Sequence, residues 1–133
     1  MMMTNRRTPD ELFHCVQAAQ EKKAEDLLVL DLHDLSDVTD YFVICHGTSD
    51  RQVAAIADNI EERLRHDAGC RPANIEGRRQ AQWILLDYLD FVVHVFLDER
   101  RDFYRLDRLW GDAPRLDLAN LDPSRARRTS SGG

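Results

Sequence analysis

The stretch Trp83–Leu97, WILLDYLDFVVHVFL, decides the fold. Two runs rich in β-branched and aromatic residues, Trp83–Tyr88 and Phe91–Leu97, flank Leu89-Asp90, and this pattern predicts a β-hairpin around a tight turn. Strand residues alternate between faces, so Trp83, Leu85 and Asp87 share one face while Ile84, Leu86 and Tyr88 share the other. With a two-residue loop, opposed residues have numbers of odd sum, which sets Val92, His94 and Phe96 on the Trp83 face; a three-residue loop would reverse the assignment.

Working outward from the hairpin, Leu27–Leu32 (LLVLDL) and Tyr41–Cys45 (YFVIC) read as two strands joined by the polar loop His33–Asp40. The pattern breaks at Gly47-Thr48-Ser49. Ser49 and Gln52 form a capping box ahead of Val53, Ile56, Ala57, Ile60 and Leu64, which recur at helical spacing until Gly69 ends the helix. A short strand is expected at Asn74–Glu76. The first helix is predicted to start with Thr8 as N-cap, Pro9 as first helical residue and Glu11 closing a capping box, with Leu12, Val16 and Ala19 on one face. Lys22 and Lys23 fall near its end, where cations suit the helix dipole. A last helix is expected from about Asp98 to Trp110, with Phe103, Leu106 and Trp110 on one side and Gly111 and Pro114 as the stop.

This order excludes a purely parallel βαβ alternation and favours an α/β fold with a mixed sheet of about five strands and helices packed on it. The 133 residues suffice for one core. Residues 8–118 are expected to form a single domain between a disordered N-terminus, 1–7, and a polar tail, 119–133, with disorder from about residue 122.

The chain carries 18 basic and 24 acidic residues, a net charge of -6, and Arg125, Arg127 and Arg128 lie in the tail. The folded part is therefore more acidic still, which argues against wrapping of a phosphate backbone and for a basic protein as partner. Cys15, Cys45 and Cys70 are odd in number and include no C-x-x-C pair, so neither a disulfide scaffold nor a zinc site is expected, and a reducing cytoplasm fits. No apolar run approaches the ~20 residues that cross a bilayer, and the first ten residues lack the apolar stretch of a secretory signal.

The face bearing Trp83, Leu85, Val92 and Phe96 together with Asp87 and His94 has two readings. Either helices cover both faces of the sheet and Trp83 is a core aromatic, or the face is an exposed patch whose aromatic anchors and carboxylates suit a basic protein. Asp87 favours the patch, because an unpaired carboxylate in a closed core costs several kcal/mol. His33, His46 and His94 with Cys45 show no metal-ligand spacing, and a lone strand histidine is ordinarily structural. Gly47-Thr48-Ser49 resembles a phosphate-cradling turn only in isolation. No G-x-x-x-x-G-K-[ST] and no D-x-D pair accompanies it, so Ser49 reads as a cap and Gly47 as a strand end. Cys45 reads as a core residue, and no nucleophile motif occurs, so catalysis, cofactor and metal are not expected.

Taken together, Asp40–Ala54 (DYFVICHGTSDRQVA), Glu76-Gly77, Trp83–Phe96 (WILLDYLDFVVHVF) and Tyr104–Trp110 (YRLDRLW) resemble the ribosomal silencing factor, or Iojap-like, family, in family order and over roughly residues 10–118. The resemblance implies a nucleotidyltransferase-like α/β fold that has lost its catalytic carboxylates. It also implies a translational repressor that binds the large ribosomal subunit through large-subunit protein number fourteen and blocks small-subunit joining when nutrients are short, with organellar relatives linked to large-subunit assembly. The family's contact surface carries over to Trp83, Leu85, Asp87, Tyr88 and Asp90. Where the family commonly has Gly, this chain has Leu89, so either the turn has another geometry or Leu89 is strained. The rival reading is a surviving nucleotidyltransferase-like enzyme that uses the turn Gly47–Arg51. A third is a homodimer that hides the hairpin face.

Overall fold

The structure, a computed structural model, describes residues 9–98 and 113–121. Five strands form one mixed sheet in the order β1-β2-β5-β4-β3, where β1 is Glu25–Asp31, β2 Tyr41–Gly47, β3 Asn74–Glu76, β4 Trp83–Asp87 and β5 Phe91–Leu97. Only β2 and β5 run parallel, paired from Tyr41↔Phe91 to Gly47↔Leu97. The other neighbours are antiparallel. A parallel pair needs a crossover, and here α2 (Asp50–Ala68) supplies it. The mixed α/β architecture expected from the element order is therefore present.

Helix α1 (Asp10–Glu21) and α2 pack together on one side of the sheet. Leu12, Val16 and Ala19 from α1 and Val53, Ile56, Ile60 and Leu64 from α2 meet Val29, Val43, Cys45, Ile84, Leu86, Val93 and Val95 in the main core. The helices are also tied by polar bonds: Asn59 donates to the Ala18 carbonyl at 2.9 Å, and Gln52 Nε2 donates to the carbonyls of Lys22 and Lys23, both at 3.1 Å. Arg63 reaches Gln17 at 3.0 Å and pairs with Glu21 and Asp67. A second, smaller core on the other side of the sheet joins Leu30, Leu32, Ile44 and Phe96 with Ala113.

Local signals acted as expected, with adjustments. Ser49 Oγ accepts from the Gln52 amide at 3.1 Å, but Gln52 Oε1 accepts from the amide and hydroxyl of Thr48 (2.7 and 3.0 Å), not from the Ser49 amide of a standard capping box. The C-terminus of α2 follows the glycine rule: Gly69 is left-handed, its amide bonds to the Arg65 carbonyl, and the Cys70 amide bonds to that of Leu64. Pro9 is the N-cap of α1, not its first helical residue, and no side chain caps that end; Thr8 lies outside the described residues. Strand β1 begins earlier than read, at Glu25, because a bulge between Glu25 and Leu28, with Asp26 at φ 50°, absorbs the irregular start. Beyond Asp98, the last predicted helix lies outside the described residues up to Gly111. Leu121, within the stretch read as tail, is buried in the main core at the end of a 3-10 turn, Leu118–Leu121.

Two glycines distinguish conformational need from steric need. Gly69 (φ 62°) has open space where a Cβ would go, whereas a Cβ on Gly77 (φ 82°) would stand 1.9 Å from the Trp83 carbonyl oxygen. Gly69→Ala should therefore cost about 1 kcal/mol, the ordinary left-handed penalty. Gly77→Ala should cost at least about 3 kcal/mol, because the β3–β4 connection must move. Urea unfolding of both variants checks the difference; equal costs would show that the close approach is not maintained.

Candidate docking site

Strand β4 separates the two sides of the sheet. Ile84 and Leu86 are buried towards the helices, while Trp83 is 40% exposed and Leu85 and Asp87 are half-buried on the other side. The register Trp83↔Phe96, Leu85↔His94, Asp87↔Val92 places all six side chains on one face, as the odd-sum rule predicted for a two-residue loop. Further in, the β1–β2 half of this face is closed by Leu30, Ile44, Phe96 and Ala113. Outward, β3 adds only exposed Asn74 and Glu76, opposite Asp87 and Leu85. Among the described residues, the half of the sheet around β4 is therefore the less covered part, with Trp83 40% exposed.

The Trp83 ring is held in place. It stacks on Phe96 with centroids 4.9 Å apart and planes 29° apart, and its Nε1–H donates to His94 Nδ1 at 3.1 Å. His94 is 4% exposed and packs edge-on against Phe42 at 4.5 Å. Since Nδ1 accepts, the proton of the neutral ring is on Nε2, which is buried without a hydrogen-bond partner. Burial lowers the His94 pKa to about 4.

The remaining hairpin residues differ in what they do. Asp87 Oδ1 accepts the Leu89 amide at 2.8 Å, so this carboxylate shapes the turn as well as facing outward. Leu89 has φ 74° and is 64% exposed, and the Asp90 amide bonds to the Tyr88 carbonyl at 2.9 Å. An i to i+2 bond across a residue of positive φ is the strained form of γ-turn. Asp90 is exposed, and its carbonyl accepts the Asp40 amide at 3.0 Å, which brings the β1–β2 loop alongside the turn. Tyr88 is 6% exposed and lies on the helix side, stacked on Phe91 at 4.9 Å, with burial raising the pKa of its hydroxyl. The structure thus brings Trp83, Leu85 and Asp87 onto one open face, sets Asp90 at its tip and turns Tyr88 inward beneath the turn.

The other sequence candidates are not brought together. Cys45 points into the helix-side core, where burial pushes its thiol up to about 12, and His33 sits beyond the end of β1 between Asp31 (2.6 Å) and Asp40 (3.5 Å). His46 lies on the open-face side of β2 near Glu25, Asp26 and Asp98, at 3.4 to 3.8 Å. Gly47 ends β2, and Ser49 with Gln52 occupies the first amides of α2 as a cap. Among the described residues no group of three or more His, Cys, Asp or Glu is arranged to hold a metal, and no helix is long and apolar enough to cross a membrane. The role of His94 was missed by sequence reasoning; its only signal was that Trp83 and His94 share a face one step out of register.

The described part of the site is a half-open mixed sheet with a fixed, partly exposed tryptophan, and comparison gives the chain a family. The profile described as ribosomal silencing factor during starvation matches residues 5–132, and the chain belongs to that family. It is 48% identical over 101 residues to the ribosomal silencing factor RsfS of Bacillus subtilis, covering 76% of this chain and 85% of that one. Mouse mitochondrial assembly of ribosomal large subunit protein 1 is 33% identical over 98 residues, covering 71% of this chain and 42% of that one. A crystal structure from Bacillus halodurans superposes with a TM-score of 0.72 at 39% identity, over 80% of this chain and 95% of that one.

Two stability predictions follow from the site. Because the folded state depresses the His94 pKa from 6.5 to about 4, the unfolded chain binds more protons between these values. This contribution is complete above pH 6.5 and is lost as pH falls towards 4, on the order of 3 kcal/mol in all. Relative to wild type, His94→Leu should gain stability as pH falls across that window in urea titrations, because only wild type loses this contribution; a constant difference would show that His94 is not buried neutral. Leu89→Gly should raise stability by about 0.5–1 kcal/mol by removing the positive-φ penalty, measured as a higher urea midpoint. An unchanged or lower midpoint would mean that the turn relaxes around leucine.

Proposed function

We propose that this protein is a ribosomal silencing factor that docks the open hairpin face on the large ribosomal subunit and represses translation without chemistry of its own. The observation that carries this reading is Trp83, 40% exposed yet fixed by Phe96 and His94 on an otherwise polar-rimmed face, in a chain of the silencing-factor family. Exposed aromatic anchors of this kind dominate protein interfaces, because a rigid ring covers much area at little entropic cost. The names of the bacterial and mitochondrial relatives support a ribosomal partner and, for the mouse protein, a large-subunit one. The family resemblance points to large-subunit protein number fourteen as the receptor and to steric exclusion of the small subunit, in the cytoplasm, as the mechanism.

The acidic composition fits a basic ribosomal protein, with Asp87, Asp90 and Glu76 around the apolar centre and Tyr88 supporting the turn from beneath. In the free state a second copy covering the same face would hide Leu85 and Trp83, and such a homodimer would open before binding.

Co-sedimentation with separated ribosomal subunits tests the proposal. Wild type should pellet with large subunits and not with small ones, and Trp83→Ala should lose about thirtyfold in affinity, the equivalent of ~2 kcal/mol at a central anchor. Asp90→Lys, which spares the hydrogen bond that Asp87 accepts from the Leu89 amide, should slow association and flatten its salt dependence. Equal pelleting with both subunits, or a folded Trp83→Ala protein that binds like wild type, would overturn the assignment.

A further inference from the structure

We propose that His94 is the positioning residue of the docking face: as a buried imidazole accepting the indole N–H, it fixes the Trp83 ring so that a partner meets only its carbon surface. This rests on the docking reading above and adds to it both a residue and the chemistry of the contact.

The Trp83 side chain has one polar atom, and that donor is engaged by His94 Nδ1 at 3.1 Å. One side of the indole is stacked on Phe96, itself fully buried, so the exposed portion of the side chain is hydrocarbon. A partner therefore gains apolar contact or a cation over the ring, not a hydrogen bond from the indole. A lysine or arginine of a basic protein satisfies the second option, and the carboxylates on the same face, Asp87 and Glu76, favour it.

The histidine is an uneconomical choice for packing alone. Its Nε2–H is buried without a partner, which destabilises the fold relative to an apolar side chain of similar size. Phe42, Ile44 and Phe96 around it would accept leucine. A group that destabilises the core while orienting an exposed anchor is understandable if the orientation is what matters. Without the bond, the half-exposed indole can rotate off Phe96, and its ordering must then be supplied on binding.

The test compares His94→Leu and His94→Asn in a Trp110→Phe background, which leaves Trp83 as the only tryptophan. Asparagine can place its Oδ1 near the position of Nδ1 and so retains an acceptor. His94→Leu should unfold at the same or higher urea concentration than its parent, shift the indole N–H resonance upfield, and bind large subunits about tenfold more weakly. His94→Asn should recover most of the resonance position and of the affinity. A merely structural histidine would move stability and affinity together, with no rescue by asparagine. The proposal is overturned if His94→Leu leaves the indole resonance in place or binds large subunits as tightly as the parent. If the resonance shifts but the parent itself does not bind large subunits, the hydrogen bond stands, while the docking reading and His94's part in it both fall.

Discussion

The parallel pairing of β2 with β5 is the constraint on which the rest depends. Its seven matched positions, Tyr41↔Phe91 to Gly47↔Leu97, fix β5 at the centre of the sheet and require the α2 crossover, which packs with α1 on one side. The same register lines up His46, Phe96 and Trp83 across the other side in one row, and Ile44, His94 and Leu85 in the next. On that side Phe96 stacks on the Trp83 ring and His94 accepts its N–H, so the central strand supplies both groups that hold the indole on β4.

Among the described residues the helices lie on a single side of the sheet, and the second face is covered in part by other means. Here Leu30, Leu32, Ile44, Phe96 and Ala113 close the β1–β2 half, while the short edge strand β3 offers only Asn74 and Glu76 to the other. Among the described residues this leaves a sheet face with a fixed, partly exposed tryptophan, edged by carboxylates and ending in a strained turn at Leu89. On the docking reading, the contacts that already fix the Trp83 ring reduce the ordering cost of association.

Much of this was legible in the sequence because it is local. The hairpin, its face assignment, the Ser49 cap and the Gly69 stop each depend on residues within a few positions of one another. The start of α1 was misplaced by one residue, since a proline after threonine is compatible with either N-cap or first-turn positions. The extension of β1 to Glu25 was invisible because its bulge interrupts the alternation. Strand order lay beyond reach, since the pairing of Tyr41 with Phe91 spans the whole crossover. For the site, alternation grouped Trp83, Leu85 and Asp87 correctly on one face and set Tyr88 opposite them, but it gave no sign that Asp87 would bond its own turn or that His94 would hold the indole. Those depend on rotamers and cross-strand distances that a one-dimensional pattern does not carry.

The central claim is that the open side of β4, and not the helical side, meets the ribosome. A photo-activated crosslinking residue in place of Leu85, and separately in place of Asp58 on the exposed side of α2, reads this directly in the presence of purified large subunits. The account predicts that position 85 captures a single basic large-subunit protein and position 58 captures none; capture from position 58 alone, with position 85 silent in a protein that still pellets with large subunits, would contradict it.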